Sequence, residues 1–111
     1  MVKKLPESIN LYGVEYKIIS LPSDPILNEA EGLTSWYPPD GPSIRIKSTM
    51  SDDQKICTLF HEVYHIALKE SGLSTFPQIS KNEEMLVSAC SYATIECIKT
   101  CEEQEKKLLD L

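Results

Sequence analysis

The chain has 111 residues, with 17 acidic against 11 basic side chains and a formal net charge of −6. That length predicts one domain, spanning residues 1–111, with one modest core. The acidic balance argues against a nucleic-acid-binding surface, and no apolar run approaches the ~20 residues that cross a bilayer. Met1–Glu7 has no apolar segment typical of a signal peptide, so we expect a cytoplasmic protein.

The first predicted elements form a β-hairpin. Residues 8–11 alternate polar and apolar side chains, as a half-buried strand does. Tyr12-Gly13 is typical of a turn, and residues 14–20 alternate again and are rich in β-branched and aromatic types. An antiparallel pair of strands is therefore expected here.

A second hairpin is predicted after an irregular stretch at 21–30, which contains two prolines. Residues 33–37 and 43–47 read as strands, joined by the turn-forming run at 38–42, Pro-Pro-Asp-Gly-Pro. The later strand should point Ile44 and Ile46 inward and Arg45 and Lys47 outward.

A helix is predicted from about residue 52 to residue 70. Ser51 and Gln54 have the spacing of a capping box, and the two aspartates between them suit the positive end of the helix dipole. Gly72 is a plausible residue for the helix end.

This helix contains His61-Glu62-Val63-Tyr64-His65, which includes the two histidines of the chain. Residues four apart lie on one helix face, so both imidazoles can hold one metal ion. Glu62 projects about 100° round the helix and suits a general base, the arrangement of zinc hydrolases. Because the flanks are apolar, unpaired imidazoles there would be costly to bury, which favours a metal site over a degenerate helix.

The last predicted element is a long helix that ends near Lys107. A connector at 73–80 contains Pro77, and Ser80 to Glu83 has the spacing of a second capping box. The main apolar stripe expected on this helix consists of Leu86, Cys90, Ala93, Cys97 and Cys101.

The four cysteines are Cys57, Cys90, Cys97 and Cys101. A reducing cytoplasm disfavours disulfides, and the spacing contains no Cys-x-x-Cys. Cys90, Cys97 and Cys101 are spaced to share one helix face, and we expect them to be small buried hydrophobes rather than metal ligands.

A catalytic zinc usually has three protein ligands, so a carboxylate or a cysteine must be the third. Glu84 is the favoured candidate and Glu83 the alternative. Glu83 would be occupied by the capping box at Ser80, whereas Glu84 is followed one turn later by Ser88, which can hydrogen-bond a ligand. Against this, Glu83 lies nearer the centre of the expected apolar stripe, and paired glutamates also stabilise helix starts.

Several segments of the chain together resemble a known group of proteins. The run 43–47, the segment 52–54, the run Thr58–His65 and Glu84-x-x-Val87 resemble the small ImmA/IrrE-type zinc metallopeptidases of the gluzincin class. The match is best to short versions from bacteriophages and prophages, and residues 5–16 resemble their opening segment. The similarity covers most of the chain.

The resemblance implies an α+β, minimal zincin-like domain. A small antiparallel sheet made of the two N-terminal hairpins would pack on the active-site helix and a long C-terminal helix. It implies Zn²⁺ at His61, His65 and Glu84, with Glu62 as base, in a bacterial or phage-infected cell. The His₂Glu set suits zinc best, although manganese, cobalt or nickel could occupy it.

The expected activity is hydrolysis of a peptide bond in a protein target, such as a repressor or host regulator. An extended substrate should add to an edge strand, for which the candidate is residues 43–47. A tyrosine could assist the developing oxyanion, with Tyr37, Tyr64 and Tyr92 as candidates.

The alternative is a non-catalytic zinc-binding phage protein that acts by binding a partner protein. A closed site with Cys57 or Cys90 as fourth ligand would favour that interpretation, whereas the presence of Glu62 favours an enzyme.

Overall fold

A computed structural model describes residues 4–109 and shows the predicted α+β architecture. The strands are β1 Ser8–Leu11, β2 Val14–Ile19, β3 Gly32–Ser35 and β4 Ser43–Ile46, and the helices are α1 Asp52–Glu70, α2 Pro77–Ser80 and α3 Glu83–Leu109. Residues 1–3 of the N-terminal segment and the end of the predicted domain at 110–111 lie outside the described residues. No helix among those described is long and apolar enough to span a membrane.

Both predicted hairpins are confirmed. Strands β1 and β2 pair antiparallel across Tyr12 and Gly13, which have φ of 53° and 79°, the positive values that a two-residue hairpin turn requires. Strands β3 and β4 also pair antiparallel. However, β2 and β4 are parallel neighbours, so the four-stranded sheet is mixed rather than antiparallel.

The strand order β1-β2-β4-β3 makes β4 an internal strand. The prediction that residues 43–47 form the substrate-binding edge is therefore wrong. The chain after β2 crosses to the far side through 21–31 before it returns, so β3 occupies the outer position. All four residues of β4 are buried, and Ile44 and Ile46 are 0% exposed.

The prediction that Arg45 points outward into solvent is also wrong. Its side chain is only 11% exposed and donates to the Asp24 carboxylate over 2.7 Å. The irregular segment 21–30 supplies that partner and buries Leu27 as well. The hydrogen bond from Arg45 holds the pKa of Asp24 below its usual value. Lys47, the other predicted outward residue, is exposed.

Helix α1 packs between the sheet and α3. Towards the sheet, Leu59 and Ile66 join Tyr16, Ile44 and Ile46 in the main core cluster. Full burial of such side chains stabilises a fold by about 1.5–3 kcal/mol each. A second cluster contains Ile56, Cys57 and Ile95 and holds α1 against α3.

The predicted limits of α1 are confirmed. Ser51 caps the helix, because its hydroxyl accepts the Gln54 amide at 3.2 Å. Gly72, with φ of 79°, follows the helix end. A short 3₁₀ turn, Leu73–Thr75, and α2 then reverse the chain towards α3.

The second capping box is not formed. Pro77 begins α2, as proline does at a first helical position, so Ser80 ends that short helix instead of starting the next one. Asn82 precedes α3, and its carbonyl accepts the Leu86 amide at 3.0 Å. Glu83 is therefore free of the local role expected for it.

The predicted apolar stripe of α3 is wrong. Among the α3 side chains that the structure describes, the buried ones are Val87, Ser91 and Ile95, whereas the expected stripe lies exposed. Ser88 and Ser91 lie on the face that meets α1, and both also line the cavity beside His61 and His65. The cysteines at 90, 97 and 101 are therefore exposed, contrary to prediction, whereas Cys57 on α1 is buried.

Candidate metal centre

The start of α3 crosses the face of α1 that carries the two histidines. The Nε2 atoms of His61 and His65 lie 3.2 Å apart. Oε2 of Glu84 lies 3.1 Å from Nε2 of His61, and Oε1 of Glu84 lies 2.9 Å from Nε2 of His65. The three predicted ligands are thus brought together, and they form a group that could hold a metal ion.

The donor set and its spacing fit a tetrahedral metal ion. Metal–donor bonds of 2.0–2.1 Å at tetrahedral angles separate neighbouring donors by about 3.3 Å. The two imidazole nitrogens, 3.2 Å apart, are close to that value, and each faces a different oxygen of Glu84, at 3.1 Å and 2.9 Å. Two imidazole nitrogens and one carboxylate also leave a fourth position open, as in catalytic sites.

Glu83 approaches His65 from the opposite side. Its carboxylate lies 2.6 Å from Nδ1 of His65 and accepts the Ser74 hydroxyl at 2.9 Å. A proton on Nδ1 donated to Glu83 leaves Nε2 to face Glu84 and a metal. The alternative in which Glu83 is the ligand finds no support in this geometry, since its carboxylate faces the wrong ring nitrogen.

His61 has a weaker partner on its far side. The Ser88 hydroxyl lies 3.5 Å from Nδ1 of His61, at the limit of a hydrogen bond. Ser88 therefore occupies the place expected for it, one turn after Glu84.

Glu62 lies beside the three side chains that could hold a metal ion and is not one of them. Its side chain is buried, and the Thr34 hydroxyl donates to Oε1 at 2.9 Å. Strand β3 approaches closely because Gly32 has no side chain. A Cβ at that position would lie 2.6 Å from Cγ2 of Thr58 and 3.4 Å from Oε2 of Glu62.

The face that carries the three possible ligands borders two cavities, which share Leu33, Glu62 and His65. Together these cavities form a groove. We call them the α3 half and the Lys69 half. The α3 half has a volume of about 430 Å³ and contains Glu31, Thr58 and Tyr92 as well as the donor group. The Lys69 half has a volume of about 350 Å³ and is lined by residues Thr34, Trp36, Lys69, Ser74 and Glu83.

Of the three candidate tyrosines, Tyr92 lines the groove. Tyr64 is engaged elsewhere, in a hydrogen bond between its hydroxyl and Thr94. Tyr37 is 74% exposed and lines neither half. Tyr92 is therefore the tyrosine best placed to reach a bound substrate.

A fourth protein ligand is not evident among the described residues. Cys57 lines the α3 half, but the converging donors are those of His61, His65 and Glu84. Cys90 is exposed and lines neither half. The closed four-ligand site therefore has no support from this geometry.

Sequence reasoning missed Thr34 and Ser74. The alternation in residues 33–37 placed Thr34 on a strand, but nothing in the sequence pairs that strand with Glu62. Ser74 reaches Glu83 because of the turn after α1, and a serine in a connector gives no local signal of that contact.

Comparisons with protein-family models, with curated proteins and with solved structures give no match to this chain.

Proposed function

We propose that this protein is a zinc-dependent peptidase. The observation that supports it best is the convergence of His61, His65 and Glu84 on one point beside the buried carboxylate of Glu62. A purely structural metal site needs no such base, and it would be closed by a fourth protein ligand.

Zinc is the metal that two imidazoles and one carboxylate suit best. When bound, it lowers the pKa of water towards neutrality and polarises a carbonyl group. The described residues then have separate tasks: three hold the ion, and the carboxylates of Glu83 and Glu62 act next to it.

Glu62 is the proposed general base. It takes a proton from the water that attacks the peptide carbonyl and passes it to the leaving amine. The hydrogen bond from Thr34 to Oε1 fixes the carboxylate and leaves Oε2 for the proton. Tyr92 is the proposed donor to the developing oxyanion, because it is the one of the three candidate tyrosines that lines the groove.

The substrate is proposed to bind in extended form along β3. Among the described residues no strand lies beside the outer edge of β3, and residues 32–34 line the groove. A peptide added there would pair with the free main chain of β3. The resemblance supports a protein target in a bacterial or phage-infected cell, such as a repressor or host regulator.

A second candidate is a metal-holding protein that acts by binding a partner. The observation that favours it is the large exposed apolar side chains near the start of α3: Phe76 is 54% exposed and Met85 is 70% exposed. Met85 lines one cavity with the exposed Leu86, and contiguous exposed apolar surface often marks an interaction site.

Replacing Glu62 by Gln separates the two candidates. The isosteric amide cannot accept the proton, so the zinc-loaded variant should lose peptide hydrolysis by a factor of about 10²–10⁴. Zinc affinity and folding should match the parent, because Glu62 is not a ligand. If the biological activity survives this change, the peptidase proposal fails and partner binding remains.

A further inference from the structure

We propose that the groove selects peptides with an acidic side chain, aspartate or glutamate, which binds against Lys69. This inference rests on the proposed peptidase function and names its substrate class.

Lys69 lies on the same face of α1 as the ligands. His61, His65 and Lys69 are spaced four residues apart, so their side chains follow one another along the helix. The Lys69 ammonium lies 3.7 Å from the ring centre of Trp36 and 5.2 Å from that of Tyr37. Trp36 and Lys69 both line the Lys69 half, so this stacking keeps the ammonium beside that half of the groove.

The Lys69 ammonium has no carboxylate partner among the described residues. Ring faces attract a cation through their quadrupole but do not neutralise its charge. A lysine in the last turn also suits the negative end of the helix dipole, although any position in that turn would serve equally. Stacking on Trp36 is what directs this ammonium to the groove.

The two halves of the groove differ in charge. Glu31 and Glu84 line the α3 half together with Glu62, and no lysine or arginine lines it. The Lys69 half is lined by Lys69, its one lysine or arginine among the described residues, and also by Glu62 and Glu83. The Glu83 carboxylate is engaged with His65 and Ser74. An acidic substrate side chain therefore has a cationic side chain to pair with at Lys69 and none in the α3 half.

The spacing sets where that acidic residue lies in the substrate. Lys69 follows His65 by four residues, which is about 6 Å along the helix axis. An extended peptide advances about 3.3 Å per residue. An acidic side chain about two or three residues from the scissile bond would therefore reach Lys69.

The test is cleavage of a synthetic peptide library in which every residue type is equally frequent at each position. The zinc-loaded parent, Lys69→Ala and Lys69→Glu are compared. Lys17→Glu is the matched control, since Lys17 is exposed on β2 and lines neither half of the groove. A binding measurement gives a readout that does not depend on turnover. It compares one acidic peptide with its amide counterpart, on Glu62→Gln and on the double variant Glu62→Gln/Lys69→Ala.

We expect acidic residues to be enriched about two- to fivefold at one position among cleaved peptides, the range of an exposed ion pair. The enrichment should disappear in Lys69→Ala, invert towards lysine and arginine in Lys69→Glu, and persist in Lys17→Glu. It should also weaken at high salt.

Cleavage without acidic enrichment, or enrichment unchanged by Lys69→Ala, would overturn this inference and leave the peptidase function standing. Absence of cleavage of any peptide by the zinc-loaded parent would instead count against the peptidase function and remove the basis of this inference with it.

Discussion

Glu83 and Glu84 are neighbours in the sequence, yet their carboxylates reach His65 from opposite sides. Glu84 faces Nε2, and Glu83 faces Nδ1 while it accepts the Ser74 hydroxyl. A carboxylate behind a ligating imidazole fixes the ring orientation and makes the other nitrogen a better donor. Two adjacent glutamates therefore have separate tasks at one centre.

Replacing Glu83 by Ala should lower zinc affinity about 10–100-fold, because His65 loses the partner that orients it. Glu83→Gln retains an oxygen that accepts from Nδ1 and should have a smaller effect. Competition against a chromogenic chelator measures the affinity, with the exposed Glu96→Ala on the same helix as control.

Two results would contradict this account of Glu83. Unchanged zinc affinity in Glu83→Ala would mean that the contact with His65 does not support metal binding. Complete loss of zinc in Glu83→Ala, with zinc retained in Glu84→Ala, would make Glu83 the ligand.

At the level of elements, the site depends on how closely β3 approaches α1. Gly32 permits that approach, since a Cβ there would lie 2.6 Å from Cγ2 of Thr58. The contact places Thr34 against Glu62 and leaves the outer edge of β3 beside the metal-binding face.

Gly32→Ala should destabilise the fold by about 1–3 kcal/mol, the usual cost of overpacking, and lower kcat/KM for peptide hydrolysis. Zinc affinity should remain close to that of the parent, because the atoms nearest to a Cβ at position 32 belong to Thr58 and Glu62, which are not proposed ligands. Urea unfolding and steady-state kinetics measure the two effects. Adding Thr58→Ser removes the methyl group that clashes and should restore both values; a double variant no better than Gly32→Ala would refute the explanation.

The segment 21–30 is attached to the sheet through Asp24 and Arg45. The hydrogen bond from Arg45 lowers the pKa of Asp24 from its usual value of 3.8 in the folded state. The unfolded chain therefore binds more protons than the folded chain at pH values between the two pKa values. This contribution is complete above the unfolded pKa and is lost as pH falls through the folded pKa.

Asp24→Asn should remove that part of the pH dependence and lower stability near neutral pH, because Arg45 stays buried without its counter-charge. The measurement is urea unfolding of the metal-free protein from about pH 6 down to pH 3. Asp53→Asn is the control, because the Asp53 side chain is 60% exposed and its ion pair with Lys99 is longer, at 3.6 Å. Parallel stability curves for Asp24→Asn and the parent would contradict the assignment.

Local signals in the sequence predicted the hairpins and the limits of α1, because turn residues and caps act within a few positions. The spacing in the motif likewise predicted that His61 and His65 share a helix face. The order of the strands, the buried face of α3 and the role of Glu83 depend on contacts between distant segments. In particular, cysteine and alanine on α3 suggested a buried stripe, although the face that meets α1 is the one with Ser91.

In the whole molecule, each layer contributes one part of the proposed centre. The sheet offers the free edge of β3, α1 carries two ligands and the base, and the start of α3 brings Glu84. A bound ion would link α1 to α3, so metal binding should also stabilise the fold by mass action. The central claim is therefore that these three side chains together hold one ion.

The most direct test is the metal content of protein purified without chelator, measured beside His61→Ala, Glu84→Ala and the control Glu96→Ala. We predict about one zinc per chain in the parent and the control. Both ligand variants should lose it while they retain the circular dichroism of a folded chain. A parent that binds no zinc when it is supplied, or a Glu84→Ala variant that binds zinc as tightly as the parent, would contradict the account.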